Sequence, residues 1–510
     1  MKRITLFTIC LILGVTSAQA QAIYSQSKAE TNFRNTLWFN TENSAALTFK
    51  PLDKYSDLRL GVKADEGEFR RQTEANSSKA IGVATSGNSH IGKFNIWGEF
   101  SFNNIFEKDL ANNAILFEVP EDFPYYLADT VSSRWNKQVY DMRTRISSPV
   151  LWDGFSFGLE VGYNSKVGAK QRDPRTTTYK YAVDVTPSAA WKISDSHMLG
   201  LNGYYSKSFE RSEPSNVDGR YNQKVYLSRG LGMATAGTVG GNNGLGVFYF
   251  KGLDYGAGIQ YNYTSGFDIL AELGYKNRKM DVYEQPTLPK RRGTTKGSVI
   301  DGRIQVLFGD NNSDKVDVKA HYRTTDGYEQ EQTYIQESKN QHWLTIADNK
   351  MSTYSRISLN AEYGHQFGAG NPDGYTYEAG ARVAYDLEQD SYLIPSTEWN
   401  WSTVLPEAFG GLQWSKGRNI LLVQASAGYG LNLSGDYVYY AVPGSVTDKT
   451  AEIYSKDMAF RQSNFFKSSV RASYTLRSKK VNYVFDLKAT GWAADETNRI
   501  IADFTFGILF

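Results

Sequence analysis

Cysteine is almost missing from this sequence of 510 residues, which contains a single one, Cys10. It lies in a short apolar run near the N-terminus that we predict to be removed from the mature chain. A mature chain without a thiol excludes disulfide scaffolds, thiolate metal sites and cysteine nucleophiles. Thr8 and Ile9 do not form a lipobox before this cysteine, so the sequence does not predict a lipoprotein.

Long apolar runs are missing as well. After residue 20, no run approaches the roughly 20 residues that a membrane-spanning helix needs, and the mean hydropathy is −0.47. These features exclude a helical membrane protein. They are compatible with a transmembrane β-barrel, because half of its strand residues face a polar lumen and hide the apolar half from hydropathy averages.

The composition does not mark any domain boundary. The chain has only 13 prolines and no linker rich in proline or serine, whereas its 45 glycines, 34 tyrosines and 27 phenylalanines are spread over the whole length. Length alone would suggest about three soluble domains. Nothing in the sequence shows where one such domain would end and the next begin.

The N-terminus has the three parts of a secretory signal peptide. Lys2 and Arg3 are basic, residues 4–15 are mostly apolar, and 18–20 place alanine at the two positions that signal peptidase reads. We therefore predict a signal peptide over 1–20; the alternative, an uncleaved anchor, would need a longer apolar run. Its removal lowers the net charge from +2 to about zero, because two basic residues leave. A near-neutral chain gives no reason to expect a nucleic-acid partner.

Apolar and polar residues alternate with period two along much of the chain. From Phe155 to Tyr163, for example, aromatic and aliphatic residues alternate with serine, glycine and glutamate, and the pattern recurs in 179–193, 255–263, 315–323 and 375–385. The apolar rows carry many aromatic residues near strand ends, as interfacial girdles do. Many of the runs are 9 to 14 residues long, and about 9–11 residues suffice for a tilted strand to cross a bilayer.

Connections between these runs alternate in length. Short turns rich in Gly, Asn, Asp and Ser are predicted at 86–89, 152–154, 194–196, 264–266, 310–313, 415–418 and 477–480, and long polar connections near 107–134, 211–245, 284–294 and 434–463. Short turns on one side and long loops on the other are typical of outer-membrane barrels.

The sequence therefore predicts an all-β fold, a transmembrane antiparallel up-and-down β-barrel of about 18 strands (range 14–20) over residues 57–510. Three segments leave the count open. Residues 222–229 fit a strand or a loop, and 392–414 fit one hairpin or an irregular crossing. Residues 21–56 form an N-terminal periplasmic or plug segment, or contain a first strand.

The last strand has its own signature. Ile500, Ala502, Phe504, Phe506, Ile508 and Phe510 share one face, and the last residue is aromatic. This pattern resembles the C-terminal signal of bacterial outer-membrane proteins. The resemblance implies recognition by the barrel assembly machinery, contact with outer-membrane lipid and localisation in the outer membrane. It places Phe510 at the periplasmic rim and the long loops outside.

Two further resemblances concern the whole layout. Pro124-Tyr125-Tyr126 with Asp129-Thr130, and 172–175 (Arg-Asp-Pro-Arg), resemble a Bacteroidota-type family of outer-membrane β-barrels, a domain of unknown function. Residues 43–46 (Asn-Ser-Ala-Ala) resemble the Asn-Pro-Ala segment near the N-terminus of fatty-acid channels, although the proline is missing here. Neither resemblance implies a site residue.

The sequence shows no recognisable chemical site. The five histidines are not in a nucleophile or metal spacing; they are His90, His197, His321, His342 and His365. His321 shares a lumen row with Lys319 and Arg323, and no carboxylate at i±2 orients it. We therefore predict no catalytic, cofactor-binding or metal residue, no cofactor, and a protein that is not an enzyme.

Two loops invite a functional interpretation. The glycine-rich stretch 230–246 lacks the Lys-Ser/Thr pair of a phosphate-binding loop, so we interpret it as a flexible outer loop. Residues 118–126 combine acids with Phe123, Tyr125 and Tyr126. This loop fits three roles: a constriction of the lumen, a ligand site at the rim, or ordinary packing.

Predicted lumen rows mix both signs of charge, as in Lys180 with Asp184, Arg303 with Asp301, and Glu378 with Arg382. Such rows fit a wet, neutralised wall or a selective pore. The first hypothesis is therefore a pore or transporter for small solutes, whose solute the sequence does not identify. The alternatives are a structural or surface-interaction barrel partnered with another envelope component, and a surface hydrolase.

Overall fold

The computed structural model describes residues 25–116, 123–220, 223–239, 245–285, 287–337, 340–439, 446–479 and 481–510. The predicted signal peptide (1–20) lies outside the described residues, as do parts of the two loops considered above. No helix among the described residues has both the length and the apolar character needed to cross a membrane.

Most of the described chain is β-strand. In chain order the strands are β1 (Tyr55–Gly67), β2 (Ser77–Ile91), β3 (Phe94–Leu110), β4 (Leu127–Ala128), β5 (Ser133–Ser147), β6 (Phe155–Lys170), β7 (Arg175–Lys192), β8 (His197–Ser215), β9 (Lys224–Gly230), β10 (Met233–Thr238), β11 (Phe248–Thr264), β12 (Asp268–Glu284), β13 (Lys290–Phe308), β14 (Asp314–Glu337), β15 (Asn340–Phe367), β16 (Tyr377–Tyr392), β17 (Thr397–Lys416), β18 (Asn419–Val438), β19 (Phe465–Arg477), β20 (Asn482–Ala493) and β21 (Asn498–Leu509).

Eighteen of these strands form one closed antiparallel barrel, and β4, β9 and β10 form a separate three-stranded sheet. Strands that follow one another along the barrel wall pair with each other, and β1 pairs with β21 to close the ring. A closed ring leaves no unpaired edge in the membrane. The prediction of an up-and-down barrel of about 18 strands is therefore confirmed.

The barrel exterior is apolar. On β1, Leu58, Leu60 and Val62 point outward and are 40%, 57% and 49% exposed, while Asp57 and Arg59 on the other face form an ion pair inside. The same alternation on the other strands surrounds the barrel with aliphatic and aromatic side chains. An apolar band around a closed barrel is the surface that contacts lipid, so this is an outer-membrane barrel.

Short turns lie at the rim where β1 begins and β21 ends, and six of the seven predicted short turns fall there. The turn predicted at 86–89 is wrong, because these residues lie inside β2 and pair with β1 and β3. The chain turns instead at Gly92, whose φ is 60°. Asn88 faces the lumen and donates its amide to the Leu52 carbonyl at 2.7 Å, so its polar character comes from an interior contact.

The three ambiguous segments are resolved as follows. Residues 397–416 form one barrel strand, β17, and the described residues 224–230 form a strand of the small sheet outside the barrel wall. Residues 25–54, here called the N-terminal segment, contain a helix (Gln26–Asn35) and two 3-10 turns (Leu37–Asn40 and Ala45–Thr48) before β1 begins. Ser25 caps this helix by accepting a hydrogen bond from the Lys28 amide at 3.1 Å.

Long connections gather at the opposite rim. The described parts of 111–132, 216–247 and 439–464, here called the outer cap, contain the small sheet and a helix, Val446–Gln462, here called the cap helix. Their apolar side chains form a core that includes Phe123, Tyr125 and Leu227 and extends to Phe248 and Phe250 of the barrel wall. The outer cap is therefore a packed structure.

Candidate functional site: the lumen and its basic chamber

The N-terminal segment lies inside the lumen at the rim with the short turns. Its apolar side chains, Leu37, Trp38 and Leu47 among them, pack against Ala190 and Leu307 of the wall. The Trp38 indole donates to Asn262 Oδ1 at 3.2 Å. Side chains of an 18-strand wall do not fill so wide a lumen by themselves, and this segment occupies the space at that end.

The Asn-Ser-Ala-Ala sequence at 43–46 is the most deeply buried part of the segment. The Asn43 amide donates to the Ala189 carbonyl and to Gln260 Oε1, both at 3.0 Å. The Ala45 amide donates to Ser188 Oγ at 3.1 Å, and its carbonyl accepts from Ser156 Oγ at 2.7 Å. Small residues at these positions allow the segment's backbone to approach the wall closely.

Ion pairs connect the segment to distant parts of the wall. Glu30 lies 2.5 Å from the Arg471 guanidinium on β19, and Lys50 lies 2.5 Å from Asp268 on β12. Arg34 donates to the carbonyls of Asn312, Ser313 and Gly364, at 2.7, 2.9 and 3.0 Å. The segment is therefore held by polar contacts to a polar wall in addition to its apolar cluster.

A cavity of about 740 Å³, here called the basic chamber, lies under the outer cap. Eight of its lining residues are cationic and three are acidic. The cations are Arg70, Arg71, Lys137, Lys166, Arg323, Arg356, Arg461 and Arg499, and the acids are Asp65, Glu74 and Glu107.

The connection between β1 and β2 supplies two of these cations. The Arg70 guanidinium lies 3.1 Å from Asp65, and Arg499, from the start of β21, lies 2.7 Å from Asp65 and 3.0 Å from Glu74. Burial lowers the pKa of Arg70, and the charge of Arg499 adds to this effect while Asp65 opposes it. Asp65 and Glu74 therefore pair with two arginines, Arg70 and Arg499, that lie close enough to repel each other.

The cap helix supplies the chamber's outer wall. Phe460 stacks edge-on against Phe69 at 4.7 Å, and Arg461 lies 4.5 Å above the Trp401 ring, whose indole donates to the Arg461 carbonyl at 2.8 Å. Burial lowers the pKa of the Arg461 guanidinium, and the nearby charge of Arg71 lowers it further.

Two further cavities follow toward the N-terminal segment, and neither has an excess of cations. One of about 440 Å³ shares Lys166 with the basic chamber, and one of about 320 Å³ borders the segment at Glu30 and Arg34. Each is lined by three acids and two cations. Neither of these two linings therefore has the excess of cationic residues found in the lining of the basic chamber.

The structure rearranges the predicted charge pairs. Arg303 pairs with Asp317 at 2.6 Å and not with Asp301. His321 does have an orienting carboxylate, because its Nδ1 lies 2.6 Å from Asp301 on the neighbouring strand. Cross-strand neighbours lie closer than residues at i±2 on one strand, and the sequence alone does not show them.

Other candidate residues do not assemble a chemical site. His365 Nδ1 lies 2.8 Å from Asp314, and His197 Nδ1 lies 2.8 Å from the Tyr261 hydroxyl. No group of three potential metal ligands occurs among the described residues. The predicted loop 118–126 lies in the outer cap where it is described, with Tyr125 and Tyr126 buried. Sequence reasoning missed the basic chamber, although the adjacent pair Arg70-Arg71 is a signal for it.

Comparisons with known proteins give a family and a set of barrels. A family model described as a family of unknown function (DUF6850) matches residues 44–510. No curated protein sequence matches the chain. Among solved structures, the chain is similar to the outer membrane transporter YddB from Escherichia coli (8% identity, 88% of this chain and 80% of that chain covered, TM-score 0.41).

It is also similar to BauA, the ferric preacinetobactin receptor from Acinetobacter baumannii (7% identity, 89% and 80% covered, TM-score 0.37). A third is a mutant of the monoaromatic hydrocarbon channel TodX (9% identity, 92% of each chain covered, TM-score 0.31). At these identities and scores, the similarity concerns the barrel fold alone. The Bacteroidota origin stays a prediction.

Proposed function

The chain belongs to the family of unknown function DUF6850, and we propose that it is a transporter for small solutes whose passage is closed, in this structure, by the N-terminal segment. The observation that carries this proposal is the path of residues 25–54 across the lumen. The segment contacts β19 through Glu30 and β7 through Asn43, and these strands lie on opposite sides of the ring.

The width of the barrel supports the proposal. A barrel of 16 to 18 strands encloses an aqueous channel unless something blocks it. Between the N-terminal segment and the outer cap, the lumen still contains cavities of about 740 and 440 Å³. Cavities of this size can accommodate a small solute that crosses the lumen, whereas a purely structural barrel does not need them.

The contacts of the segment suit reversible movement. Hydrogen bonds and ion pairs to a polar wall exchange for water with a net cost of only about 0.5–1.5 kcal/mol each. The segment also ends in a direct peptide connection to β1 at Tyr55, so its displacement does not release it from the barrel.

Charge reversal at the segment tests this function. In the structure, Arg471 pairs with Glu30 and Lys276 pairs with Glu42. The double substitution Glu30→Arg and Glu42→Arg would replace these two ion pairs by contacts between cations. Repulsion of about 1.4 kcal/mol would raise the open population about tenfold, which planar-bilayer recordings would register as increased conductance.

Asp254→Arg is the matched control, because Asp254 pairs with Arg278 within the wall at 3.3 Å and does not belong to the segment. This variant should leave the closed state unchanged. A folded double variant with the conductance of the original protein would contradict the proposal, and so would an equal increase in the control.

A second candidate function is a surface-interaction barrel, and one observation favours it. β14 pairs with β13 only as far as Tyr328, and β15 pairs with β16 only from Ser352 onward. The remaining residues of β14 and β15 pair with each other and form a hairpin beyond their barrel neighbours, with Leu344 and Ile346 exposed. Loss of a co-purifying envelope protein after removal of this hairpin, with conductance unchanged, would support this function.

We also propose that the barrel assembly machinery recognises β21. Its support is the position of this strand, which pairs with β1 at the closing seam of the barrel. Phe510 remains hydrogen-bonded to Ser56 through both backbone groups, at 2.7 and 3.0 Å. Photo-crosslinking from position 506 on the outward face during assembly would test this, and absence of any crosslink to the machinery would count against it.

A further inference from the structure

We infer that the exterior of the barrel binds a lipid with a phosphorylated headgroup through a cluster of cations on β8, β11, β12 and β13, here called the exterior patch. Its members are Lys207, Arg211, Lys251, Lys279, Arg291 and Lys296. The patch lies outside the lumen, on the wall that faces the membrane. The inference therefore goes beyond the proposed transport function and does not depend on it.

Strand register places the patch on the outside of the barrel. Leu253 of β11 is 37% exposed on the barrel exterior, and it lies opposite Lys207 of β8 and Lys279 of β12. Lys279 in turn lies opposite Lys296 of β13. Residues directly opposite each other share a face of the sheet, and so does Lys251, two positions from Leu253. All four lysines therefore point outward, and all four are exposed.

The patch begins where the apolar part of the exterior ends. Counted from the rim with the short turns, the first outward lysine on β8, β11, β12 and β13 comes after 10, 13, 11 and 12 positions. About 9–11 residues of a tilted strand cross the hydrocarbon core of a bilayer. The rows below the patch are apolar, with Leu201, Ile259 and Leu273 exposed by 59%, 49% and 55%. The patch therefore lies at the level of the lipid headgroups.

Two carboxylates lie among the cations of the patch, and each already has an ion pair. Glu213 pairs with Arg211 on β8. Asp281 is opposite Lys251 in register, but its carboxylate lies 3.0 Å from the Lys279 ammonium. Among the residues that the structure describes, three lysines of the patch have no carboxylate within 4.0 Å; they are Lys207, Lys251 and Lys296.

Two more acids lie at this level on the outward rows of the neighbouring strands β14 and β15. Asp326 is opposite Lys296 in register, but it pairs with Lys350 of β15 at 2.7 Å. Asp348 interacts electrostatically with Arg291. When Lys350 is included, seven cations face four acids on these described rows, so the patch retains a positive excess.

The placement of Lys279 and Lys296 favours an anionic ligand most directly. They lie opposite each other on β12 and β13, where the Cβ atoms of a residue pair are roughly 4.5–5.5 Å apart. Like charges in this position destabilise a sheet, and anchoring of the barrel at the membrane surface does not require it. A phosphate group accepts charge-assisted hydrogen bonds from more than one cation. One phosphate between the two ammonium groups would therefore replace repulsion by attraction.

Aromatic rings position other cations of the patch. The Lys251 ammonium lies 5.0 Å from the centre of the Tyr283 ring, and the Arg291 guanidinium lies 5.7 Å from the same ring. The Lys296 ammonium lies 4.5 Å from the centre of the Tyr328 ring. The face of a ring attracts a cation without removing its charge, so these groups remain available to a headgroup. Tyrosine also suits the boundary between acyl chains and headgroups.

Continuity with the apolar exterior favours a lipid over a dissolved ion. A phosphate ion would contact only the cations. A lipid would also place its acyl chains along the apolar rows below the patch, where Leu201 and Leu273 are exposed. The ligand that matches both surfaces is a lipid with at least one phosphate on its headgroup.

Native mass spectrometry of the full barrel in detergent tests the site. The probes are lipid A with two phosphates and the same lipid after removal of both phosphates. We expect the phosphorylated lipid to bind at least about tenfold more tightly, with an affinity that falls as the ammonium acetate concentration rises. Inorganic phosphate, added as a competitor, should not displace it, because a free ion makes no contact with the apolar rows.

One double variant and one control locate the binding. Lys279→Gln combined with Lys296→Gln should weaken binding of the phosphorylated lipid about tenfold or more, and Lys279→Arg combined with Lys296→Arg should retain it. Lys79→Gln is the matched control, because Lys79 is exposed on the outward row of β2 but lies between Ala64 and Phe106. It should change the affinity less than about twofold. Heat-modifiable migration on gels verifies that each variant is folded.

Three outcomes would overturn the inference. Equal binding of the two forms of the lipid would show that the phosphates are not recognised. A loss in Lys79→Gln as large as in the double glutamine variant would indicate attraction to surface charge in general. Displacement by inorganic phosphate would assign the patch to a dissolved ion. Conductance of the charge-reversed segment variant is measured separately, so failure of the transport proposal leaves this site unaffected.

Discussion

Asp129 and Lys170 form an ion pair at the base of the outer cap, and neither side chain has any solvent exposure. Asp129 Oδ1 also accepts the Val131 amide at 2.9 Å, which fixes the chain just before β5. Lys170 is the last residue of β6. The pair therefore joins a cap segment to the barrel wall, and Asp129→Asn would break it.

The magnitude of this effect follows from burial. Removing one partner of a buried pair leaves the other charge uncompensated, and this costs about 3–5 kcal/mol. Burial raises the pKa of the Asp129 carboxyl, and Lys170 opposes this shift, which shows that desolvation is the larger effect here. Because the substitution leaves the hydrogen bonds between the barrel strands intact, the lost stability should appear as local opening of the outer cap.

Hydrogen exchange of the cap amides measures this opening. A loss of about 3–5 kcal/mol should accelerate exchange at residues 123–131 by about two to four orders of magnitude. The matched control is Asp195→Asn, whose lysine partner Lys192 is 2.7 Å away in an exposed turn, and it should leave exchange unchanged. Asp129→Leu with Lys170→Met should restore most of the protection, because an apolar pair of similar volume leaves no buried charge.

Acceleration of less than about fivefold at residues 123–131 in Asp129→Asn would refute this reasoning, since fivefold corresponds to about 1 kcal/mol. It would mean that water or another group takes over the role of the carboxylate. The outer cap would then be held by its apolar core alone.

Two further substitutions test the barrel itself. Leu60→Arg puts a charge on the lipid face, where it costs about 2–4 kcal/mol near the bilayer midplane, and a lower refolding yield in lipid vesicles would show it; an unchanged yield would mean that Leu60 does not contact lipid. Gly380→Ala would bring a methyl group to 2.2 Å from Phe409 and 2.4 Å from the Tyr363 carbonyl, which we expect to lower the unfolding temperature. Gly98→Ala is its control, because its nearest atom is 3.7 Å away, and equal shifts for both variants would contradict the prediction.

The barrel was predictable because its signal is local. A strand between lipid and a wet lumen must alternate, and the alternation from Phe155 to Tyr163 can be recognised without knowing which strands are neighbours. The turn at 86–89 failed for a related reason. Small polar residues favour turns, but here Ser86 and Asn88 face the lumen, where a polar side chain is equally suitable.

The basic chamber was not predictable, because it depends on distant parts of the chain. Arg71 and Arg461 are 390 positions apart, and only the docking of the cap helix brings them to the same cavity. The pairs His321–Asp301 and Arg303–Asp317 depend in the same way on the register of β13 and β14. Period two assigns each residue to a face, but it does not show which residues meet across that face.

The polar lumen wall also bears on the proposal that one segment closes the barrel without filling it. Wall groups such as Gln260 and Asn202, which hydrogen-bond each other at 2.7 Å, remain satisfied by water or by the segment, because either supplies donors and acceptors. The Asn43 amide donates to Gln260 in the structure, and water would satisfy Gln260 if the segment moved as we propose. Because the polar groups of the wall would be satisfied in both states, the proposal predicts that the closed state is favoured mostly by the segment's apolar cluster around Trp38.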